Sequence, residues 1–267
     1  MPRDTRTRKM IRPSFLCRRV SVSCPESWEE LSQDDLLYVF RMLRQFGPYP
    51  DWQERVQTAC FFHFTNISVD KRTPDGWLCR RRDSGDTFLL DPSDLPALCG
   101  VLSWTCDTSG VSVRIAKAGR YEAVDYELRE LMFGDYLLAE NYYQAFMQTK
   151  DEHHLQSLAF ILYGVEDMEE GLRLFADEML TGTFLWFTSV KQVLGRWFPN
   201  FLKPASADSP PTRESQHESI RNQIRLLTKG DVTKQKYILE QTDTWTALGE
   251  LDALAKEAEE ISKKYGK

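Results

Sequence analysis

The β-prone residues of this chain are concentrated in one short block, residues 66–90, and that block limits the folds available to it. Ile67 and Val69, then Trp77-Leu-Cys-Arg-Arg81, then Thr87-Phe-Leu-Leu90 are strand-like runs. Two turn-rich pieces, Thr73-Pro-Asp-Gly76 and Asp83-Ser-Gly-Asp86, separate them. Short runs joined by such turns predict a three-stranded antiparallel meander. Val20, Val22 and Cys24 alternate with serines and predict one further edge strand; Val111–Ile115 predicts another extended piece. No large central parallel sheet is expected. The expected class is a helix-dominated α+β fold: a compact, mostly helical domain with a small meander, plus a C-terminal helical module.

The helical text surrounds that block. Ser32-Gln-Asp-Asp35 is a capping signal, as is Ser27-Trp-Glu-Glu30. After Ser32, residues Leu36, Leu37, Val39, Phe40, Leu43 and Phe46 recur at the spacing of one helix face. Gly47-Pro48-Tyr49-Pro50 breaks that helix, and Asp51 opens another running to about Phe64. A helix is expected from Asp91-Pro92 or Ser93 to about Cys106. From Phe133 the helical pattern resumes with an aromatic stripe through Tyr136, Tyr142, Tyr143 and Phe146, and continues in Leu155–Tyr163, Met168–Met179 and Phe184–Phe198. The last of these is too short and too charged to span a bilayer, so a buried core helix is expected.

Composition and charge set the division into parts. Hydrophobic residues at 42% and charged residues at 28% are enough for a packed core, which argues against disorder over most of the length. Residues 1–19 carry seven Arg or Lys against Asp4 alone, so the other 248 residues hold a net charge of −12 within the total of −6. Residues 1–19 are therefore expected to be a basic disordered tail, and 20–202 the main domain. Residues 203–219 are rich in Pro, Ser and charge and offer almost nothing to bury, which predicts a flexible linker. Residues 220–267 follow as the helical module. Its last helix, from Asp243 or Thr244 to about Tyr265, places Leu248, Leu251, Leu254, Ala255, Ala258 and Ile261 on one side. That stripe needs a covering surface: the preceding helices of the module, the main domain or another protein. On the last of these, Trp245, Leu248, Leu251, Leu254, Ala258 and Ile261 are the expected partner-binding residues.

No common catalytic signature is present. G-x-S-x-G, Walker A, G-x-G-x-x-G and H-E-x-x-H are all missing. The six cysteines lack zinc-site spacing, and Cys60, Cys79 and Cys99 sit among apolar residues as small hydrophobes. His153-His154 reads as a solvated helix start, because neighbouring helical histidines point about 100° apart. His63, in the run FFHF, reads as a hydrogen-bonded core histidine. Asp125-Tyr-Glu127 reads as surface carboxylates, and Arg80-Arg81-Arg82 as part of an ion-paired turn with Asp83 and Asp86. The expectation is a non-enzyme with no catalytic residue, cofactor or metal. An acidic body disfavours general nucleic-acid binding, which needs clustered cations. No apolar run approaches the ~18–20 residues of a spanning helix, so no membrane insertion is expected.

Several phrases together carry a resemblance: Cys24-Pro-Glu-Ser-Trp-Glu-Glu-Leu31, Trp77-Leu-Cys-Arg80, Asn141-Tyr-Tyr-Gln-Ala-Phe146 and Arg196-Trp-Phe-Pro-Asn-Phe201. The most characteristic are Asn222-Gln-Ile-Arg-Leu-Leu-Thr-Lys-Gly-Asp-Val-Thr-Lys234 and Asp243-Thr-Trp-Thr-Ala-Leu-Gly-Glu-Leu-Asp252. From about Val20 to Lys267 the chain resembles an uncharacterised protein family encoded in phages and prophages of Bacteroides-group gut bacteria; residues 1–19 depart from the pattern. The resemblance implies virion morphogenesis in the bacterial host cytoplasm. By analogy it implies a chaperone-like factor for tail assembly, with a tail or tape measure protein as client. A structural virion component, such as a connector or tail-completion subunit, and an enzyme with an unrecognised site are the alternatives.

Overall fold

The computed structural model describes residues 7–11, 20–202 and 213–265. Its elements in chain order are β1 (Thr7–Ile11), β2 (Val20–Cys24), α1 (Gln33–Phe46), α2 (Trp52–Phe64), β3 (Ile67–Thr73), β4 (Gly76–Arg81), β5 (Thr87–Leu90) and α3 (Leu95–Cys99). There follow β6 (Lys117–Ala118), β7 (Tyr121–Glu122), α4 (Phe133–Thr149), α5 (Glu152–Leu162), α6 (Met168–Leu174), α7 (Asp177–Trp197), α8 (Arg213–Thr228), α9 (Gln235–Gln241) and α10 (Thr244–Tyr265). The fold is helix-dominated α+β, as expected. No helix among the described residues is long and apolar enough to cross a membrane.

The described residues fall into two units. The first runs to Val113 and takes in Asp177–Gly182; the second comprises Arg114–Ala176 and everything from Thr183 on.

The first unit is organised around α2, which packs against α1, α3, β2, β3 and the 3-10 segment Gly100–Cys106. Ser32 caps α1: its Oγ accepts from the Asp35 N–H at 3.2 Å, satisfying one of the helix's orphan donors. The periodic residues Leu36, Val39, Phe40 and Leu43 are buried against Val56, Cys60 and Phe61 of α2. Trp28 closes one end of this core, stacked on Phe40 and edge-on to Trp104.

The meander has the expected order, β3-β4-β5, all antiparallel. A bulge between Val69 and Lys71 leaves Asp70 out of register, and Asp70 meets Arg80 at 2.7 Å. Gly76 turns β3 into β4 with φ +137; a Cβ there would lie 2.8 Å from the Leu90 carbonyl oxygen. Both the backbone angle and the approach of β5 therefore require glycine.

In the second unit, α4 and α5 form an antiparallel pair. Trp186 and Phe187 of α7 are buried beside it. Trp186 donates from Nε1 to the Tyr126 carbonyl at 2.9 Å, and the Tyr163 hydroxyl donates to the Ile115 carbonyl at 2.8 Å. These bonds spare polar groups an unpaired burial. The C-terminal segment is tied to the same core. Met132 and Asp243 form an antiparallel bridge. The Phe133 N–H donates to the Thr242 carbonyl, and both the N–H and the hydroxyl of Thr244 donate to the Leu131 carbonyl.

Several expectations are corrected. Within the segment expected to be a basic tail, Thr7–Ile11 form β1, which pairs with β2 from Thr7↔Cys24 to Ile11↔Val20. Residues 1–6 and 12–19 lie outside the described residues. Val111–Ile115 is not a strand. Val111 and Ile115 are buried, so the alternation reports burial with no ladder partner, and the pairing occurs just beyond, in the β6-β7 hairpin. Met168–Met179 is split between α6 and α7 at Phe175, whose ring packs on Phe160 and Tyr163; α7 then begins at Asp177 rather than Phe184. The expected boundary at 203–219 is not where contacts divide. Residues 213–219 are already helical in α8, 203–212 lie outside the described residues, and the segments on either side belong to one unit. Asp252 of α10 shows the reason: its carboxylate accepts from the N–H groups of Asn200 and Phe201 and from the Asn200 side chain, at 2.7–3.0 Å.

Candidate functional site

The second unit holds an open groove between α4 and α8, closed at one side by the end of α9. Its walls follow from helical spacing. On α4, Gly134, Leu137, Leu138 and Asn141 fall within two turns of one side; on α8, His217, Ile220 and Ile224 recur at i, i+3 and i+7. Gly134 admits α9, since a Cβ there would lie 2.7 Å from the Leu239 carbonyl oxygen. The space enclosed is about 650 Å³, within the range of ligand- and peptide-binding clefts. Leu137 is buried beneath it, Met132, Ile220, Ile224 and Leu239 are half-buried in its walls, and Leu138 stands 51% exposed at its lip.

The groove is apolar with an acidic rim. Glu240 reaches Lys236 at 3.7 Å. Asp135 has no hydrogen-bond or ion-pair partner among the described residues, and the nearby apolar walls, by desolvating its carboxyl, raise its pKa above the ordinary value.

Titratable groups elsewhere are arranged differently. The nearest approach to an acid–base pair is His63 Nε2 on Asp35 Oδ1 at 2.8 Å, with the imidazole stacked 3.8 Å over Tyr38. Ser32 donates to the other oxygen of the same carboxylate. Asp35 thus stands between serine and histidine, where it joins the cap of α1 to α2, and the serine proton is not directed at the imidazole. Among the described residues, no group of three or more His, Cys, Asp or Glu could hold a metal ion. Cys24, Cys60 and Cys99 are buried in the first unit, and desolvation raises their thiol pKa values, that of Cys24 to about 11. Thiols held protonated in this way are poor nucleophiles.

No family model, curated protein or solved structure matches this chain. Its site must be read from its own geometry.

The structure divides the six expected partner-binding residues. Leu248 and Leu251 are 0% and 1% exposed in the core of the second unit, so they are not available to a partner. Trp245 is half-buried and internally engaged. Its Nε1 donates to the Glu127 carbonyl at 2.8 Å, its ring meets Phe198 and Trp197 edge-on, and the Arg129 guanidinium lies 3.9 Å above it. Leu254 is half-buried, and Ala258 and Ile261 are exposed. A stripe in sequence shows that a face must be covered; it does not say that the cover is the chain's own core.

The other singled-out groups have local partners. Arg81 pairs with Asp83 at 2.5 Å, Asp125 accepts from the N–H groups of Glu127 and Glu130, and Asp151 caps α5 at His153. Sequence reasoning missed the groove itself. The available signal was Leu138, an apolar residue beside the buried stripe of α4, together with Ile220 and Ile224 on a mostly polar helix.

Proposed function

We propose that the protein is a non-catalytic binding factor that holds an apolar segment of a partner protein in the α4–α8 groove. One observation carries this reading: a cleft of about 650 Å³ with Leu138, Ile220, Ile224 and Leu239 in its walls and Leu138 half exposed to solvent. Covering a Leu-sized side chain contributes ~1.5–3 kcal/mol, so a few such contacts can hold a peptide after ordering costs are subtracted. The setting implied by the resemblance belongs to the same proposal: a chaperone-like role in phage tail assembly, in the host cytoplasm, with a tail or tape measure protein as client. The groove's acidic rim suits a partner segment that is apolar and cationic rather than a nucleic acid.

The test is co-expression of the full chain with the tape measure and tail proteins of the same genome. A stable complex on size exclusion is expected with the wild type. Leu138→Glu should abolish it while leaving the melting temperature unchanged, because Leu138 is already half exposed. An undiminished complex with Leu138→Glu would remove the groove from the function.

A further inference from the structure

Helix α10 outruns the core it packs on. Thr244, Ala247, Leu248 and Leu251, in its first half, are essentially fully buried. At 3.6 residues per turn, Leu254, Ala258, Ile261 and Tyr265 continue the face of Ala247 and Leu251. Burial stops but the stripe does not: Leu254 is half-buried, Ala258 exposed, Ile261 59% exposed and Tyr265 73% exposed. Lys264 flanks this stripe, its Nζ 5.5 Å from the Tyr265 ring, while neighbouring Lys263 is engaged by Glu259 at 2.7 Å.

The groove supplies what this helix end lacks. At 1.5 Å per residue, the stripe from Leu254 to Tyr265 is ~16 Å long and the α4 wall from Met132 to Asn141 ~13 Å. The lengths therefore match to within a helical turn. The charges match as well: Asp135, unpaired among the described residues, stands on the groove rim, and Lys264 stands beside the stripe. In each copy the stripe's end lies in solvent and the groove is open.

We infer that the chain self-associates by laying the last three turns of α10 of one copy into the α4–α8 groove of a second copy. Each copy owns both a stripe and a groove, so a twofold exchange covers both at once and closes as a dimer. Lys264 of one copy then meets Asp135 of the other. This inference rests on the same docking surface as the proposed function and names a different occupant for it. A client and the helix end would compete for one groove.

The experiment is light scattering of the full chain, during size exclusion, from low to high micromolar concentration. The wild type should approach twice 31.1 kDa at the high end. Ile261→Glu on the stripe and Leu138→Glu in the groove should each run as a monomer, with unchanged melting temperatures because both sites are exposed within one copy. Asp135→Lys and Lys264→Glu should each shift dissociation to at least tenfold higher concentration, and the double exchange should restore it. A wild type that stays at 31.1 kDa throughout would overturn the inference, as would a dimer that survives both Ile261→Glu and Leu138→Glu. A mass rising past twice the chain's would overturn the closed exchange. Client capture separates the two readings. If Ile261→Glu is monomeric and still captures the client, both stand. If the wild type is monomeric and Leu138→Glu alone loses the client, only the self-association falls.

Discussion

The two halves of α10 carry one apolar repeat and have opposite fates. Ala247, Leu248 and Leu251 are core residues, whereas Ala258 and Ile261, further along the same stripe, are surface residues. Nothing in the repeat marks the change. The boundary is set by what lies opposite: α10 packs on α4 and α8 of its own chain, and its first half is bonded to the 127–133 segment and the Asn200–Phe201 turn through Trp245, Thr244 and Asp252. Amphipathicity therefore measures how much surface a helix must cover, and tertiary structure decides how much of it the chain covers for itself.

The largest effect that sharpens this comparison is a paired truncation. Leu248→Ala should cost about 2–5 kcal/mol of unfolding free energy, as large-to-small changes in closed cores do. Ile261→Ala, measured at a concentration where the chain is monomeric, should fall within about 0.5 kcal/mol of wild type. Urea unfolding followed by circular dichroism measures both, and equal losses would break the distinction between the halves.

A smaller loss is expected at the junction with α4. Thr244→Val keeps the shape but removes the hydroxyl that donates to the Leu131 carbonyl at 2.7 Å. The Thr244 N–H still donates to that oxygen, so the loss should be about 1 kcal/mol. The same urea series would show it.

The smallest effect is a pH dependence at Asp252. Desolvation acts to raise its pKa, but the hydrogen bonds from Asn200 and Phe201 outweigh it and hold the carboxyl below its ordinary value. A depressed folded-state pKa adds stability above the unfolded-state value, about 3.9, and loses it as pH falls through the folded value. Asp252→Asn should therefore flatten the acid limb of the stability curve without changing its shape at neutral pH. An acid limb as steep as that of the wild type would show that Asp252 does not fasten α10 to the 198–201 turn.

The legible parts of the fold were those governed by local chemistry. The Ser32 cap and the repeat from Leu36 to Leu43 mark α1 in the local sequence. The Pro74-Asp75 turn, followed by Gly76 at positive φ, defines the first hairpin of the meander. The parts that were not legible depend on distant partners. Phe175 interrupts the α6–α7 text without proline or glycine, because its ring is drawn onto Phe160 and Tyr163. The segment around 213–219 looked like linker because its residues are polar, yet it continues into the Ile220–Ile224 face of α8. The candidate site shares this limit. Its walls come from α4 and from the successive helices α8 and α9 far beyond it in the chain, and only Leu138, apolar beside an already sufficient stripe, hinted at a second surface on α4.

The central claim, that α10 is core in its first half and a docking face in its second, is tested most directly by hydrogen exchange along its backbone at two protein concentrations. Amides of residues 248–252 should be strongly protected and indifferent to concentration. Those from about 256 to 265 should exchange quickly in dilute protein and gain protection as concentration rises, in the wild type but not in Leu138→Glu. Equal protection along the whole helix in dilute protein, or a C-terminal half whose exchange ignores concentration, would contradict the account.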